Sequence, residues 1–221
     1  MKKLALLFVL SVLMVSCKQT TLSDSFIYFN EPQPVNVDVI NSFPKKYQGT
    51  FILDNSNSLI VQEKCIFKKQ IDTIEISKKD LDSIPEIQFK DGQVFDKNTN
   101  KKYKTTIVND TVSWQQVQID TIFSFSENEV AKEYKSSLIL NKKVADNYQV
   151  SYIKYTNLSN KYIQLGTKKD ASLIQNTLKI PRDVIIENSD TTHLILKASR
   201  ADFRKLLRLD GMEYQANYNS K

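Results

Sequence analysis

Glycine, histidine and cysteine are all scarce in this chain. The 221 residues include four glycines, one histidine and two cysteines. They form no phosphate-cradling glycine loop, and no Gly-x-Ser-x-Gly, His-Glu-x-x-His or Cys-x-x-Cys sequence occurs. One histidine and two cysteines cannot supply a common zinc-binding set. The composition therefore favours a protein that is not an enzyme, and we expect no cofactor and no metal.

Long tracts of one charge are also missing. The chain has 31 Lys and Arg residues against 25 Asp and Glu residues, a formal net charge of +6, and the signs alternate along the sequence. Nucleic-acid-binding proteins usually concentrate basic residues on one stripe or face. We therefore expect no nucleic-acid partner.

The N-terminus has the layout of an export signal. Lys2 and Lys3 precede an apolar run from Leu4 to Val15, which is broken only by Ser11. The run is shorter than the roughly 20 residues that a membrane-spanning helix needs, and a polar segment follows it. These features predict a signal peptide rather than a membrane-spanning anchor.

The end of this run, Leu13-Met14-Val15-Ser16-Cys17, resembles the lipobox of bacterial lipoproteins, with Met14 where leucine is usual. The resemblance implies a signal peptide at residues 1–16 and acyl chains, such as palmitate, on Cys17. Two or three acyl chains hold a protein stably on a membrane, because each buried CH₂ contributes about 0.8 kcal/mol. An ordinary signal peptide that happens to end in a cysteine is the alternative.

The remaining chain divides into a tether and one domain. Residues 17–35 are polar and carry Glu31-Pro32-Gln33-Pro34, which predicts a lipidated tether, with Phe26–Phe29 able to dock on the domain. Residues 36–221 predict a single mainly β domain, an antiparallel sandwich or barrel. The predicted strands are short β-rich segments separated by turn residues: 49–53, 58–64, 71–76, 86–89, 102–108, 111–119, 121–125, 148–155, 161–165, 183–187 and 193–197.

Two short helices interrupt the strands. Thr167 and Asp170 form a capping signal before residues 171–176, and Ser199 and Asp202 form another before residues 203–209. The second helix has a basic face, listed as Arg200, Arg204, Lys205 and Arg208. Such a face is usually solvated, but it could also contact anionic lipid headgroups or an acidic partner.

Few single residues suggest chemistry. His193 lies in an apolar strand, which favours a structural role over a ligand or a base, and Cys65 is expected to pack in the core rather than react. Asp80, Asp82 and Glu86 lie close together in sequence. Paired carboxylates leave a hydrolase as the third alternative, since glycosidases act through such pairs.

The first predicted strand has a second resemblance. Gly49-Thr50-Phe51, which follows Tyr47, looks like the opening Gly-x-aromatic element of lipocalins, although lipocalins prefer tryptophan where Phe51 stands. This likeness implies a closed barrel around an apolar small molecule. The alternative is a glycine that merely begins a strand.

A triplet of Asp, then Ser or Thr, then an apolar residue or Thr recurs in the chain. The triplets begin at Asp72, Asp82, Asp110, Asp120 and Asp190, and the chain is rich in Lys, Asn and Ile and poor in Gly. The triplet resembles the O-glycosylation acceptor motif of exported Bacteroidetes proteins, and the composition resembles that of the envelope lipoproteins of that phylum. Composition predicts roughly one such triplet. A turn aspartate before a strand is the alternative cause. The candidate acceptors are Thr73, Ser83, Thr111, Thr121 and Thr191.

These observations predict a lipid-anchored envelope protein that acts as a binding module for a protein or a glycan. The residues after Cys17, Lys18-Gln19-Thr20-Thr21, lack the acidic side chains that favour surface export in that phylum. The expected location is therefore the periplasmic face of the outer membrane. A carrier of an apolar small molecule is the second alternative, and it would require an open apolar cavity of about 300 to 1,000 Å³.

Overall fold

Alternating apolar side chains and frequent turn residues give this chain a mainly β fold. The structure is a computed structural model, and it describes residues 25–155, 160–187, 191–209 and 216–218, without the side chains of residues 160, 187, 191–192 and 216–218. Two sheets form a sandwich-like arrangement. The mainly β prediction is thus confirmed, while the barrel alternative, and with it the closed barrel implied by the likeness to lipocalins, is wrong.

Sixteen strands are described. In chain order they are β1 (Ile27–Phe29), β2 (Val39–Ile40), β3 (Gly49–Ile52), β4 (Asn57–Val61), β5 (Cys65–Ser77), β6 (Ile87–Lys90), β7 (Gln93–Asp96), β8 (Lys101–Val108), β9 (Thr111–Ser124), β10 (Glu129–Tyr134), β11 (Ser137–Val144), β12 (Asn147–Lys154), β13 (Asn160–Gln164), β14 (Arg182–Glu187), β15 (Thr191–Leu196) and β16 (Ala216–Tyr218). Asp91 and Gly92 form the turn that joins β6 to β7, with positive φ at both residues.

The strands pair in two orders. Sheet A follows β14, β15, β1, β12, β11, β10 and β2, and β13 pairs with β12 and β16. Sheet B follows β3, β4, β5, β9, β8, β7 and β6. Neighbours are antiparallel except β1 and β15, which are parallel. The end strands of each order do not pair with each other, so both sheets keep open edges among the described strands.

The helices are α1 (Lys78–Leu81), α2 (Lys168–Thr177) and α3 (Arg200–Leu206), and a 3-10 turn covers Lys45–Tyr47. Both predicted helices are confirmed, and each starts with a complete capping box, formed by Thr167 with Asp170 and by Ser199 with Asp202. The sequence analysis missed α1, which Ser77 caps by accepting a hydrogen bond from the Asp80 backbone N–H.

Sheet A is covered on both faces. In β11, Leu138 and Leu140 face one way and pack with Phe51 and other sheet B residues, whereas Ile139 faces the other way. The cluster around Ile139 includes residues of α2 and α3, such as Phe203. The body of the protein therefore has three layers: sheet B, sheet A and the two helices.

A smaller part of sheet B extends beyond these layers. Residues 73–115, which we call the distal lobe, have their own apolar cluster centred on Leu81, Val94, Val112 and Trp114. The long strands β5 and β9 join the lobe to the body. Ile66 pairs with Phe123, but the next residue of β5, Phe67, pairs with Thr121. One residue of β9 is therefore left without a partner, which makes a β-bulge there. The bulge places Phe123 and Trp114 on the same face of sheet B.

Part of the segment predicted as a tether, residues 17–35, packs within the folded domain. Residues 27–29 form β1, fully buried between β15 and β12, so the folded domain includes residues from Ser25 onward. The Glu31–Pro34 segment is docked as well: Asn141 Oδ1 accepts from Gln33 N at 2.6 Å, and Asn141 Nδ2 donates to Gln33 O at 2.9 Å. Asn141 is 108 residues away from Gln33 in the sequence, so this docking cannot be predicted from the residues near Gln33. The local sequence is polar, and it therefore suggested a tether.

Candidate binding surfaces and modification sites

Strand β14 is the most unusual surface of the body. It lies at an edge of sheet A and pairs with β15 but with no other described strand. Val184, Ile185 and Ile186 are consecutive and 53%, 37% and 68% exposed. An edge strand offers a row of backbone N–H and C=O groups to another strand, and natural edges are usually short or charged to prevent this. Here the centre of the strand carries neither lysine nor proline.

The other edge strands are shorter. β14 has six residues, whereas β2, β3, β6 and β16 have two, four, four and three. The sequence analysis predicted a strand at residues 183–187, but a strand's place within a sheet depends on tertiary pairing and cannot be read from its own residues. The exposed apolar edge is therefore a feature that the sequence did not reveal.

A polar groove lies on the distal lobe. Its volume is about 440 Å³, and its walls come from β5, β8 and β9. The lining residues include two amines, three hydroxyl residues and an amide, which are Lys102, Lys104, Thr73, Thr106, Ser113 and Gln115. Glu75 lies opposite Ser113 in the ladder. This lining suits a hydroxyl-rich ligand better than the apolar molecule of the carrier alternative.

A second cavity, of about 200 Å³, opens between the two sheets. It is lined by Phe123 and Leu140 together with polar residues, among them Lys142, Gln149 and Gln164. Tyr162, also in the wall, is buried, and this burial raises the pKa of its phenol. The volume is below the range of about 300 to 1,000 Å³ that is typical of small-molecule sites.

Four of the five predicted glycosylation sites can be located with their side chains. Thr73, Ser83, Thr111 and Thr121 are all exposed, whereas Thr191 begins β15 and its side chain lies outside the described residues. Thr73 pairs with Gln115, so the two side chains lie on the same face of the sheet. Thr111 and Thr121 are each an even number of residues from Gln115 along β9 and therefore lie on that face as well. These three hydroxyls therefore share the outer face of sheet B. The Ser83 hydroxyl donates to the Asp80 carbonyl at 2.6 Å.

The aspartates of these triplets do not share one structural role. Asp110 lies in the turn before β9, as the turn explanation requires. Asp72 and Asp120 lie inside the long strands β5 and β9, and Asp82 follows α1. Turn formation therefore does not account for the triplets at Asp72 and Asp120.

His193 is a core residue of β15. Its ring is 2% exposed, and Nδ1 donates to the Ser25 carbonyl at 2.7 Å. The Tyr28 ring lies edge-on, with 5.7 Å between the centroids. The predicted structural role of His193 agrees with this placement. Cys65 is only half-buried, with Sγ 3.7 Å from Ser124 Oγ.

The carboxylates considered for hydrolysis lie around α1. Asp80 lies within the helix and accepts from the hydroxyl of Ser77, the N-cap, at 2.8 Å, while Asp82 and Glu86 are exposed in the following turns. Within residues 25–155, 160–187, 191–209 and 216–218, no three His, Cys, Asp or Glu residues are grouped as metal ligands.

A buried lysine completes the docking of the Glu31–Pro34 segment. Lys132 Nζ donates to the carbonyl oxygens of Pro32 and Pro34, both at 2.9 Å. Burial lowers the pKa of Lys132, against the opposing effect of Glu31 and Asp38. The two carbonyls replace part of the water that the ammonium loses, so the contact fixes the chain directly after β1.

Cys17 lies outside the described residues, so its lipidation stays a prediction. Among the residues that are described, no helix combines the length and apolar character needed to cross a membrane. Comparisons with protein-family models, with curated proteins and with solved structures found no match.

Proposed function

We propose that this chain is an exported lipoprotein, anchored through Cys17, whose domain binds a protein partner along β14. The basic start, short apolar run and Ser16-Cys17 junction support the anchor. The proposed location is the periplasmic face of the outer membrane. The exposed apolar edge of β14 carries the binding part of the proposal.

An extended segment of another protein suits this edge for two reasons. The backbone groups of β14 that face away from β15 need hydrogen-bond partners, and a further strand supplies them in register. Val184 and Ile186 lie on one face of the strand and Ile185 on the other, so both faces offer apolar contacts. The partner strand should therefore have apolar side chains on both of its faces.

Site-specific photo-crosslinking in the producing cells would test this binding. A photoreactive amino acid at Ile186 should give one adduct of defined mass, and a second substitution, Val184→Lys, should reduce it. The matched control is the same probe at Val108, which is 60% exposed at the end of β8. Equal crosslinking at both positions, or none at Ile186, would contradict partner binding at β14.

The anchor requires a separate experiment. Cells that are fed a labelled fatty acid should incorporate the label into the wild-type chain, and Cys17→Ala should abolish incorporation. Cys65→Ala is the control, because it removes the other cysteine of the chain and should keep the label.

A second proposal concerns modification. The exposed Thr73, Thr111 and Thr121 on one sheet face support O-glycosylation there, and the mid-strand positions of Asp72 and Asp120 favour an acceptor motif over a turn signal. Mass spectrometry of the chain from its own host should find glycan on these residues. Thr121→Ala should remove one glycan mass, whereas Thr106→Ala, also exposed but outside any triplet, should remove none.

A further inference from the structure

Four exposed cations gather where the chain enters the domain. They are Lys168 and Lys169 in the first turn of α2, Lys205 in α3, and Arg208 just after α3, and we call them the basic end. The sequence analysis noticed only the charges of α3. The contribution of α2 depends on how the two helices lie on sheet A.

The first described residues lie beside the start of α2. The Phe26 backbone N–H donates to the Gly166 carbonyl at 2.8 Å. A Cβ placed on Gly166 would come within 2.5 Å of Ser25 Oγ, so these two segments of the chain are in contact there. Thr167, the N-cap of α2, follows directly. The chain therefore enters the domain next to Lys168 and Lys169.

The end of α3 lies at the same end of sheet A. β12 runs antiparallel to β1, with Phe29 opposite Tyr148, so Lys154 at the far end of β12 lies past the level of Ser25. Lys154 Nζ donates to the Leu207 carbonyl at 3.5 Å. Lys205 and Arg208 are therefore also near Ser25, where the chain enters the domain. In the sequence they follow the start of α2 by about 40 residues.

The two carboxylates of α2 and α3 accept hydrogen bonds in the capping boxes of these helices. Asp170 is buried and accepts from the Thr167 N–H, while Asp202 accepts from Ser199 and lies 3.5 Å from Lys205. Among the described residues of α2 and α3, these are the only two acidic side chains. Among the described residues of the two helices, the basic side chains that face solvent therefore outnumber the acidic ones.

We propose that the basic end docks on an anionic phospholipid surface. This inference rests on the proposed anchor, since seven residues separate Cys17 from Ser25 and a fully extended chain spans at most about 28 Å over that distance. The anchor thus holds these four cations near the headgroups. At 0.1 M salt, charges attract over about 10 Å, so docking would bring the cations within range of anionic lipid.

Lysine footprinting of the full chain, purified from its own host and mixed with vesicles, tests the proposal. On phosphatidylcholine mixed with phosphatidylglycerol, acetylation of Lys168, Lys169 and Lys205 should fall several-fold relative to phosphatidylcholine alone. Lys79 and Lys101 of the distal lobe are internal controls and should not change. At 1 M salt, where the screening length is about 3 Å, the protection should disappear.

A charge-reversed chain sharpens the result. Lys154 and Lys161 pair with each other across β12 and β13 at the same end of sheet A, so anionic vesicles should protect them as well. Combining Lys168→Glu, Lys169→Glu, Lys205→Glu and Arg208→Glu should abolish this protection. Equal charge reversal in the distal lobe, at Lys78, Lys79, Lys97 and Lys101, should leave that protection intact. Circular dichroism of both variants checks that they are folded.

The possible outcomes separate the two proposals. Protection that is equal on both vesicle types, or absent from both, overturns the docking of the basic end. Flotation of the same chain with each vesicle type tests the anchor separately. A chain that floats only with anionic vesicles supports the basic end but contradicts the anchor. A chain that floats with neither vesicle type overturns both.

Discussion

The body and the distal lobe are built from the same two long strands but have very different cores. Two clusters of 16 and 12 buried residues cover the faces of sheet A, whereas the described core of the lobe contains four. Each of those four residues is therefore a large share of what holds the lobe together. A domain can open locally where few apolar residues are buried, so we expect the lobe to open before the body.

Phe29→Ala should have the largest effect. Phe29 is fully buried on β1 and packs against the Phe203 ring, with 5.9 Å between the centroids. Losing a buried phenylalanine costs about 3–5 kcal/mol, and here the cost should fall on global unfolding. Urea denaturation measures this. Ile119→Ala, at a 59% exposed position, should cost less than about 0.5 kcal/mol. Similar costs for the two variants would refute the central role of β1.

Trp114→Ala should affect the lobe alone. Its local cost is also about 3–5 kcal/mol, but the body does not share its cluster. Hydrogen exchange should become faster within residues 73–115 and stay unchanged in β11 and β12. Faster exchange in both regions would mean that lobe and body unfold as one unit, and the comparison between them would fail.

Asn141→Leu should weaken the body by an intermediate amount. The substitution leaves the buried Gln33 N–H and C=O without their partner, and each unpaired group costs about 1–3 kcal/mol. Urea denaturation should show the loss, and proteolysis should become faster near Pro34. Asn128→Leu, at an exposed turn residue, is the matched control and should change neither.

Ser199→Ala should have the smallest effect, about 1 kcal/mol, through loss of the α3 cap. The hydrogen bond from the Ser199 hydroxyl holds the pKa of Asp202 below its ordinary value of 3.8. Asp202 therefore stabilises the fold above pH 3.8, and this contribution disappears as the pH falls through the lowered pKa. The stability difference between wild type and Asp202→Asn should shrink in acid, and a constant difference would contradict this role.

Local signals in the sequence were sufficient for some elements and not for others. The capping residues of α2 and α3 act within one turn, so the sequence alone predicted both helices. β10 and β11 were both missed. In β11, Leu138, Ile139 and Leu140 are consecutive apolar residues buried on both faces of the strand, so they show no alternation. β1 was read as tether, since its partners are distant in sequence.

The candidate surfaces also divide into those that local sequence signals predict and those that depend on contacts between distant residues. The hydroxyl triplets could be listed from the sequence, but whether each hydroxyl is exposed depends on which sheet face it occupies. The β14 edge and the basic end result from tertiary pairing. No property of residues 182–187 or 168–169 alone distinguishes them from a covered strand or an ordinary solvated helix start.

The position of β1 also affects the order in which the chain can fold. Ser25 and His193 touch although 168 residues separate them, and the parallel partner of β1 is β15. During synthesis from the N-terminus, β1 is made long before β15, so the body cannot complete its fold strand by strand in chain order. Until β15 has been made, β1 lacks its parallel partner and is accessible to chaperones and proteases.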